Sequence, residues 1–323
     1  MITKNRIIKI ASKFDSVGSD KSPVSIQAAI NDNCFNDCIM CSHPQKPVKH
    51  TVSGSDWCSF IKKCSDIGLE SVCYSGGDPF AHKDINMIME AHIQLGIAFG
   101  FITTGYIPKS INRDYLKYAS WIRVSLDAIN PESYAKVRGL IKVEKVLDCI
   151  DEMIDLGIEV GLAPTVHHYN KDDIFDVLDY ALLKGLYVGV KTAYEGTIDL
   201  TGIDWNRIES YRTYFDNKGL ELRVYNGTDY ESFNKCNAVY YQLFVDSKGD
   251  VYPCCTLGGD VTLEPAINAL TNIRYGIENV IHHRNAFSKL DSTQRPSGCK
   301  NCIGRLTEIN HIVELVDLNK QFF

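Results

Sequence analysis

The chain has 323 residues, 45% of them hydrophobic and 23% charged, enough to bury a sizeable core in one large domain with a small one beside it. Its net charge of −6 comes without a block of lysine or arginine, so the electrostatic footprint of a nucleic-acid binder is missing, and small molecules or other proteins are the expected partners. No apolar run reaches the ~18 residues that cross a bilayer, and the opening MITKNRIIKIASKFD is interrupted at Lys9 and lacks a signal-peptide core.

A cytoplasmic protein without membrane contact is therefore expected. In that reducing compartment the 12 cysteines read as metal ligands or redox groups before they read as disulfides. Residues 1–22 form an N-terminal extension to which no role is assigned. The first strand is Ser25 to Ile30, and it runs straight into CFNDCIMC, which spaces Cys34, Cys38 and Cys41 as CxxxCxxC. An iron-sulfur cubane is normally held by four cysteines, so a three-cysteine loop can leave one iron open to a ligand that is not protein. Two plainer readings stand beside it: a zinc site, with His43 as the nearest fourth ligand, and buried free thiols.

Further along, a phrase repeats at Gly68, Gly96, Gly157, Gly185 and Gly219, each glycine ending a helical pattern and opening a β-rich run. Before Gly68 the apolar residues Trp57, Phe60, Ile61, Cys64 and Ile67 recur at helical spacing; before Gly185, Ile174, Val177, Leu178, Ala181 and Leu182 do. Glycine just past a helix supplies the left-handed turn that sends the chain back into a strand. Asn170 is the expected N-cap of the helix before Gly185. With the strand Trp121 to Leu126 between Gly96 and Gly157, the pattern predicts six βα units, and such alternation calls for parallel strands with right-handed crossovers. The expected fold is α/β: a partial (β/α)6 TIM-like barrel over residues 23–230, with a doubly wound open sheet as the other arrangement the pattern allows.

In a barrel the chemistry gathers where strands end. The predicted strands end at the cysteine loop, at Ser75-Gly76-Gly77-Asp78-Pro79, at Thr103-Thr104-Gly105, at Ser125-Leu126-Asp127, at Thr165-Val166-His167-His168 and at Lys191-Thr192-Ala193-Tyr194-Glu195. The glycine pair would let backbone approach a ligand closely, although by itself it also reads as a tight turn. His167, His168, Lys191, Tyr194 and Glu195 are candidates to orient a polar substrate, with Asp127 or Glu195 as a base.

The last third carries Cys236, Cys254, Cys255, Cys299 and Cys302. CNAVYYQLFVDSKGDVYPCC reads as two strands around Ser247-Lys248-Gly249-Asp250, which brings the cysteines at its ends together. With Cys299-Lys300-Asn301-Cys302 they make four ligands for structural zinc or for a second cluster. Cys64, Cys73 and Cys149 fall in helix or strand patterns and read as core; Cys58 is undecided.

CFNDCIMC, YSGGDPF, ITTGY and VSLDAINPESYAKVRG, in that order and spacing, resemble the radical S-adenosylmethionine (SAM) enzymes over roughly Pro23 to Glu195. The resemblance implies a [4Fe-4S] cluster on Cys34, Cys38 and Cys41 whose open iron is chelated by the amino and carboxylate groups of SAM. It also implies that the Gly76, Gly77, Asp78 and Pro79 turn meets the methionine amino group, with Thr103 and Thr104 at the next strand end, and that Ser125 and Arg138 hold the ribose or carboxylate. Met40 stands where the family usually has an aromatic residue beside the adenine, and Asp78 where it commonly has glutamate. The implied chemistry is reductive cleavage of SAM to a 5′-deoxyadenosyl radical that removes a hydrogen atom from a substrate C–H.

Cys236, Gly249 and Cys254 look like the opening of the SPASM/twitch auxiliary-cluster domains, and the shortened form with one terminal CxxC resembles the twitch domain of 2-deoxy-scyllo-inosamine dehydrogenase. This implies a second, fully ligated [4Fe-4S] cluster on Cys236, Cys254, Cys299 and Cys302 in a domain over residues 231–323. The expected reaction is oxidation of a carbinol in a sugar, cyclitol or aminoglycoside-like molecule, with Lys191 and Glu195 at the substrate and a flavodoxin- or ferredoxin-type reductant. Epimerisation with Cys255 as hydrogen donor comes next. Peptide modification is ranked third, because only 33 residues precede Cys34. A non-catalytic zinc or electron-transfer protein is the rival of another class.

Overall fold

Each of the five repeated glycines takes a positive φ, as at Gly96 (67°) and Gly185 (72°), where the left-handed turn closes a helix and the next residues enter a strand. The computed structural model describes residues 23–41, 49–193, 198–226, 236, 238–255, 257, 268–288 and 290. In chain order the elements are β1 (Ser25–Ala29), α1 (Gly54–Ser65), β2 (Ser71–Ser75), α2 (Ile85–Leu95), β3 (Ala98–Thr103), α3 (Arg113–Leu116), β4 (Trp121–Val124), α4 (Pro131–Arg138), α5 (Val143–Asp155), β5 (Val160–Leu162), β6 (Thr165–Val166), α6 (Ile174–Lys184), β7 (Tyr187–Thr192), α7 (Trp205–Ser210), α8 (Arg212–Asn217), β8 (Leu222–Tyr225), β9 (Gln242–Val245), β10 (Asp250–Tyr252), β11 (Thr271–Asn272) and α9 (Ile277–Ser288). Among the described residues no helix is long and apolar enough to cross a membrane.

One sheet holds every strand among the described residues, in the order β11-β10-β9-β1-β2-β3-β4-β5-β7-β6, with β8 also paired to β7. Strands β1 to β5, β7 and β8 are joined by parallel ladders. This is the mixed α/β fold of a partial barrel. The side chains alternate across it. Ile26, Ala28, Val72, Tyr74, Phe101, Ile122, Val124 and Val188 are buried in one core with the apolar faces of α1, α2, α5 and α6. Their neighbours Ser25, Gln27, Cys73, Trp121, Arg123 and Tyr187 turn to the other face and are only half-buried. The inner face is therefore open, unlike the packed interior of a closed barrel. Two glycines make room on it: a Cβ at Gly100 would lie 2.3 Å from the Trp121 ring, and one at Gly161 would lie 2.1 Å from the Tyr187 ring.

A buried polar chain ties the core to two helices. The Trp57 indole N–H donates to Tyr74 Oη (2.7 Å), Tyr74 O–H donates to His92 Nε2 (2.5 Å), and His92 Nδ1–H donates to the Ile97 carbonyl (3.1 Å). A carbonyl can only accept, which assigns the imidazole proton to Nδ1 and keeps the ring neutral. Burial pushes His92 down to about 4, against the pull of the Ile97 carbonyl. A histidine depressed in the folded state contributes stability above its unfolded value near 6.5 and loses it as pH falls toward 4. Acidification across that window should cost about 3 kcal/mol through this residue. A His92→Gln variant melted at a series of pH values should show a flatter profile, and an unchanged slope would show that His92 is not the group responsible.

Asn170 does not cap the helix as expected: α6 begins at Ile174 with Asp173 at its N-cap. Its amide instead donates to the Asp127 and Thr165 carbonyls (3.0 and 2.9 Å), and its oxygen accepts the His167 N–H (2.9 Å). A buried amide that can satisfy two strand ends at once is more useful there than at a cap exposed to water.

The predicted hairpin is present as β9 and β10, around a turn in which Asp246 Oδ1 accepts the N–H groups of Lys248 and Asp250 (both 2.9 Å). Strand β9 joins β1 in parallel, Ser25 against Gln242 and Ala28 against Val245, so the C-terminal part extends the barrel's own sheet.

Candidate active site

The cysteine loop leaves β1 through Asn31, which is fully buried. Its Oδ1 accepts the Asn33 N–H (2.7 Å), its Nδ2 donates to the Asp78 carbonyl (3.0 Å), and its own carbonyl accepts the Gly77 N–H (2.8 Å). The Asn33 carbonyl accepts the Asp78 N–H (2.6 Å). The stem of the loop and the glycine turn are thus laced together by backbone. Only glycine fits: a Cβ at Gly77 would stand 2.1 Å from the Asn33 carbonyl oxygen, and one at Gly76, where φ is 119°, would stand 2.4 Å from that of Asn31. Gly77→Ala must push the loop outward and should lower iron loading at its cysteines; colorimetric iron and sulfide counts on the reconstituted variant check this, and full loading would contradict it. Sequence reasoning passed over Asn31 and Asn33. Their signal was an amide pair wedged between an apolar strand and the cysteine loop.

The Asp78 side chain points back into the fold. Its Oδ1 accepts the Phe80 N–H (2.9 Å), and its Oδ2 accepts the Thr103 hydroxyl (2.8 Å) and both the N–H and hydroxyl of Thr104 (2.7 Å each). Burial raises its carboxyl above the ordinary range, and these donors only partly offset it. Thr103 and Thr104, expected at the cofactor, are spent on this carboxylate. What the turn can offer a ligand is backbone, not the Asp78 side chain. Pro79 opens a short 3-10 turn that Asp78 caps. Just before the turn, Ser75 is buried and its Oγ has no hydrogen-bond partner.

The far side of the loop is held by the end of α4. The Arg138 and Val137 carbonyls accept the Asp37 and Ile39 N–H groups (3.2 and 3.1 Å), and Asn36 Oδ1 accepts the Ile141 N–H (3.0 Å). Arg138 itself is paired with fully buried Asp127 (Nε to Oδ2, 2.6 Å), and its Nη1 donates to Cys38 Sγ (3.5 Å). Burial works against the charged guanidinium, but the Asp127 carboxylate and the Cys38 sulfur outweigh it and keep it charged. The expected ribose or carboxylate contact is therefore replaced by a contact to the cysteine loop. Asp127 also accepts the Thr165 N–H (2.8 Å), so its carboxylate is occupied by Arg138 and the β6 backbone.

Met40 is buried against Val137 and Ala193, with Cys38 beside it. Ser125 stands half-buried at the end of β4, its N–H on the Thr103 carbonyl (2.9 Å). His167 is fully buried, accepting the Tyr169 N–H at Nδ1 (3.2 Å), whereas His168 is half-buried near Asp199. Lys191 lies exposed on β7 opposite Thr165. Cys73, expected in the core, faces the inner side of the sheet, while Cys64 is fully buried. His43, Tyr194, Glu195, Cys299 and Cys302 lie outside the described residues, as do residues 1–22.

The three loop thiols suit a cluster. Burial pushes Cys34 up to about 12, with Asp78 and then Cys38 and Cys41 adding to the repulsion. Three thiolates can share that space only around a cation. Three cysteines in one loop match three of the four corners of a cubane. The second set is divided: Cys236 precedes β9 and Cys254 follows β10, which places both at the open end of the hairpin. That end is level with Ser25, at the start of β1, whereas the loop cysteines follow the end of β1, roughly 13 Å along the strand. Cys255 is half-buried against the cluster of Ala29, Phe244 and Tyr252.

Two family models match this arrangement: the radical SAM superfamily over residues 29–181 and the iron-sulfur cluster-binding SPASM domain over 236–303. The chain belongs to the radical SAM superfamily and carries a SPASM domain. The first domain implies a [4Fe-4S] cluster and SAM, the second auxiliary iron-sulfur clusters. Among named relatives it is 26% identical over 173 residues to GTP 3′,8-cyclase of Aliarcobacter butzleri (strain RM4018), covering 50% of this chain and 53% of that protein. It is 25% identical over 176 residues to PqqA peptide cyclase of Rhizobium meliloti (strain 1021), covering 53% and 47%. The match thus spans about half the length of these relatives. Streptococcus suis SuiB bound to S-adenosylmethionine superposes with a TM-score of 0.67 at 16% identity, over 94% of this chain and 78% of that one. The same protein bound to its precursor peptide SuiA gives 0.61 at 18%, over 79% and 64%.

Proposed function

We propose that this radical SAM enzyme modifies a peptide at a C–H bond. The observation that carries the reading is the likeness of the fold, over nearly the whole chain, to SuiB, whose structure with a precursor peptide is among the neighbours. The relative named as a peptide cyclase agrees with it. Peptide modification, ranked third on sequence, therefore moves ahead of carbinol oxidation and of epimerisation through Cys255, and a peptide replaces a sugar-like molecule as the favoured substrate.

When bound, the loop cluster and SAM supply a 5′-deoxyadenosyl radical that takes a hydrogen atom from the substrate, and the auxiliary cluster supplies an electron acceptor. The chain's own part is placement. Cys34, Cys38 and Cys41 would hold the first cluster; Cys236 and Cys254, with Cys299 and Cys302, would hold the second. Asn31 and Asn33 fix the glycine turn against the loop, Arg138 sets a positive charge beside Cys38, and Met40 packs the loop against Val137 and Ala193. The open inner face gives a substrate access. We place the boundary between the two domains near residue 230, and keep a flavodoxin- or ferredoxin-type reductant and a cytoplasmic setting as part of the proposal.

The test is anaerobic. Reconstituted enzyme with SAM and dithionite is given short peptides encoded beside its gene or, separately, GTP, and 5′-deoxyadenosine and substrate mass are followed. Peptide-dependent 5′-deoxyadenosine with a mass change in the peptide is expected. Stimulation by GTP alone would replace this reading with the nucleotide chemistry named for the first relative.

A further inference from the structure

The inner face of the sheet holds a cation, Arg123, that no carboxylate among the described residues neutralises. Arg123 lies on β4 between Ile122 and Val124, both fully buried on the helix side, so strand alternation turns its side chain inward with that of Trp121. Its pairing partners are Ile102 on β3 and Gly161 on β5. Tyr187, opposite Gly161, senses its charge together with those of Arg223 and Glu159. Arg223 is neutralised by Glu221 (2.6 Å). Among the described residues no carboxylate pairs with Arg123 and no ring lies under its guanidinium, and its Nε is closed off from solvent without a hydrogen-bond partner.

A second unsatisfied group stands at the same height. Tyr74 pairs with Phe101 and Ile102 pairs with Arg123, so Ser75, one residue past Tyr74, is level with Ile102 and Arg123. Ser75 is 8% exposed, and its Oγ is buried without a partner. Two strand spacings, roughly 10 Å, separate the backbones of β2 and β4, and the half-buried Ile102 side chain stands between them on the same face, so a small anion held by both groups would rest over it. A desolvated guanidinium Nε–H and a desolvated hydroxyl are unfavourable unless something accepts from both. The planar fork of arginine matches a carboxylate. Both groups lie before the glycine turn and the end of β4, hence deeper than the backbone that faces the cofactor side.

We propose that Arg123 and Ser75 form a carboxylate-binding subsite on the inner face, which takes the acidic side chain of a glutamate or aspartate in the peptide substrate. This rests on the peptide reading above and narrows it to peptides with an acidic residue close to the modified position.

The probes are N-acetyl-glutamate N-methylamide and its glutamine counterpart, titrated calorimetrically into the reconstituted holoenzyme with SAM bound. The wild type should bind the glutamate probe at least tenfold more tightly than the glutamine probe. Arg123→Gln should erase that preference, Arg123→Lys should keep part of it, and the affinity for SAM should change less than twofold in both. Where Arg123→Gln loses its iron, Ser75→Ala gives the same readout, with a severalfold loss for the glutamate probe only. Equal binding of the two probes to wild type, or a preference that survives Arg123→Gln, overturns the subsite and leaves the peptide reading standing. A tenfold loss of SAM affinity in Arg123→Gln also overturns it, because the carboxylate served would then be the cofactor's. If neither probe binds and GTP binds through Arg123, the subsite and the peptide reading fall together.

Discussion

Alanine at Cys34, Cys38 or Cys41 is expected to lower reconstituted iron from about eight to about four per chain, as loss of one of two cubanes requires, and to abolish 5′-deoxyadenosine formation. The three thiols sit within one eight-residue loop, where burial disfavours the Cys34 thiolate, so removing any one leaves too few anionic corners for the cluster. Alanine at Cys236 or Cys254 should also remove about four irons while leaving reductive cleavage of SAM in place, since those residues lie at the other end of β1. Cys64→Ala is the internal control. Its thiol is fully buried beneath α1, so the variant should lose about 1 kcal/mol of stability from the small cavity and keep all its iron. Iron analysis with electron paramagnetic resonance of the reduced protein separates the three classes. A full iron count in any loop variant would exclude that residue as a ligand.

Replacing Arg138 by methionine should cost about 3–5 kcal/mol in the apoprotein, because it strands the Asp127 carboxylate in the interior without its cation. The loss should show as an earlier urea midpoint. Adding Asp127→Leu to the same chain should recover part of it, since the pair then leaves together and no buried charge is left alone. A double variant no better than the single would mean that Arg138 matters mainly through its packing. In the loaded enzyme the first cluster should reduce at a more negative potential once the guanidinium is withdrawn from Cys38, where it lies 3.5 Å from the sulfur. A potential unchanged by the substitution would separate the structural role of Arg138 from an electronic one.

The framework was legible because its signals are local. Gly68, Gly96, Gly157, Gly185 and Gly219 each had to stop a helix and start a strand, and all five take the positive φ that this demands. The hairpin around Gly249 and the loop of Cys34, Cys38 and Cys41 were local in the same sense. Contacts between segments distant in sequence were less so. Asp78 was rightly placed at the end of β2, yet its carboxylate turns inward to Thr103 and Thr104, which are 25 and 26 residues away. Arg138 reaches back 100 residues to Cys38. Asn170 looked like a helix cap because a cap is a short-range device, and it serves two strand ends because the fold brings both within its reach. A polar residue at a strand end announces that it will be satisfied, but its neighbours in sequence do not say by whom.

The parallel seating of β9 on β1 bears on how the protein stays in solution. Strand β1 opens the barrel sheet, and without β9 its five residues would present a row of unmet N–H and C=O groups to any other extended chain. The residues that follow the barrel therefore act as an edge guard as well as a cluster holder. A chain cut near residue 230 would keep every loop cysteine and every βα unit, yet gain a sticky border along β1. Such a truncation should come out of the cell aggregated, even though the half it retains is the half that begins the chemistry.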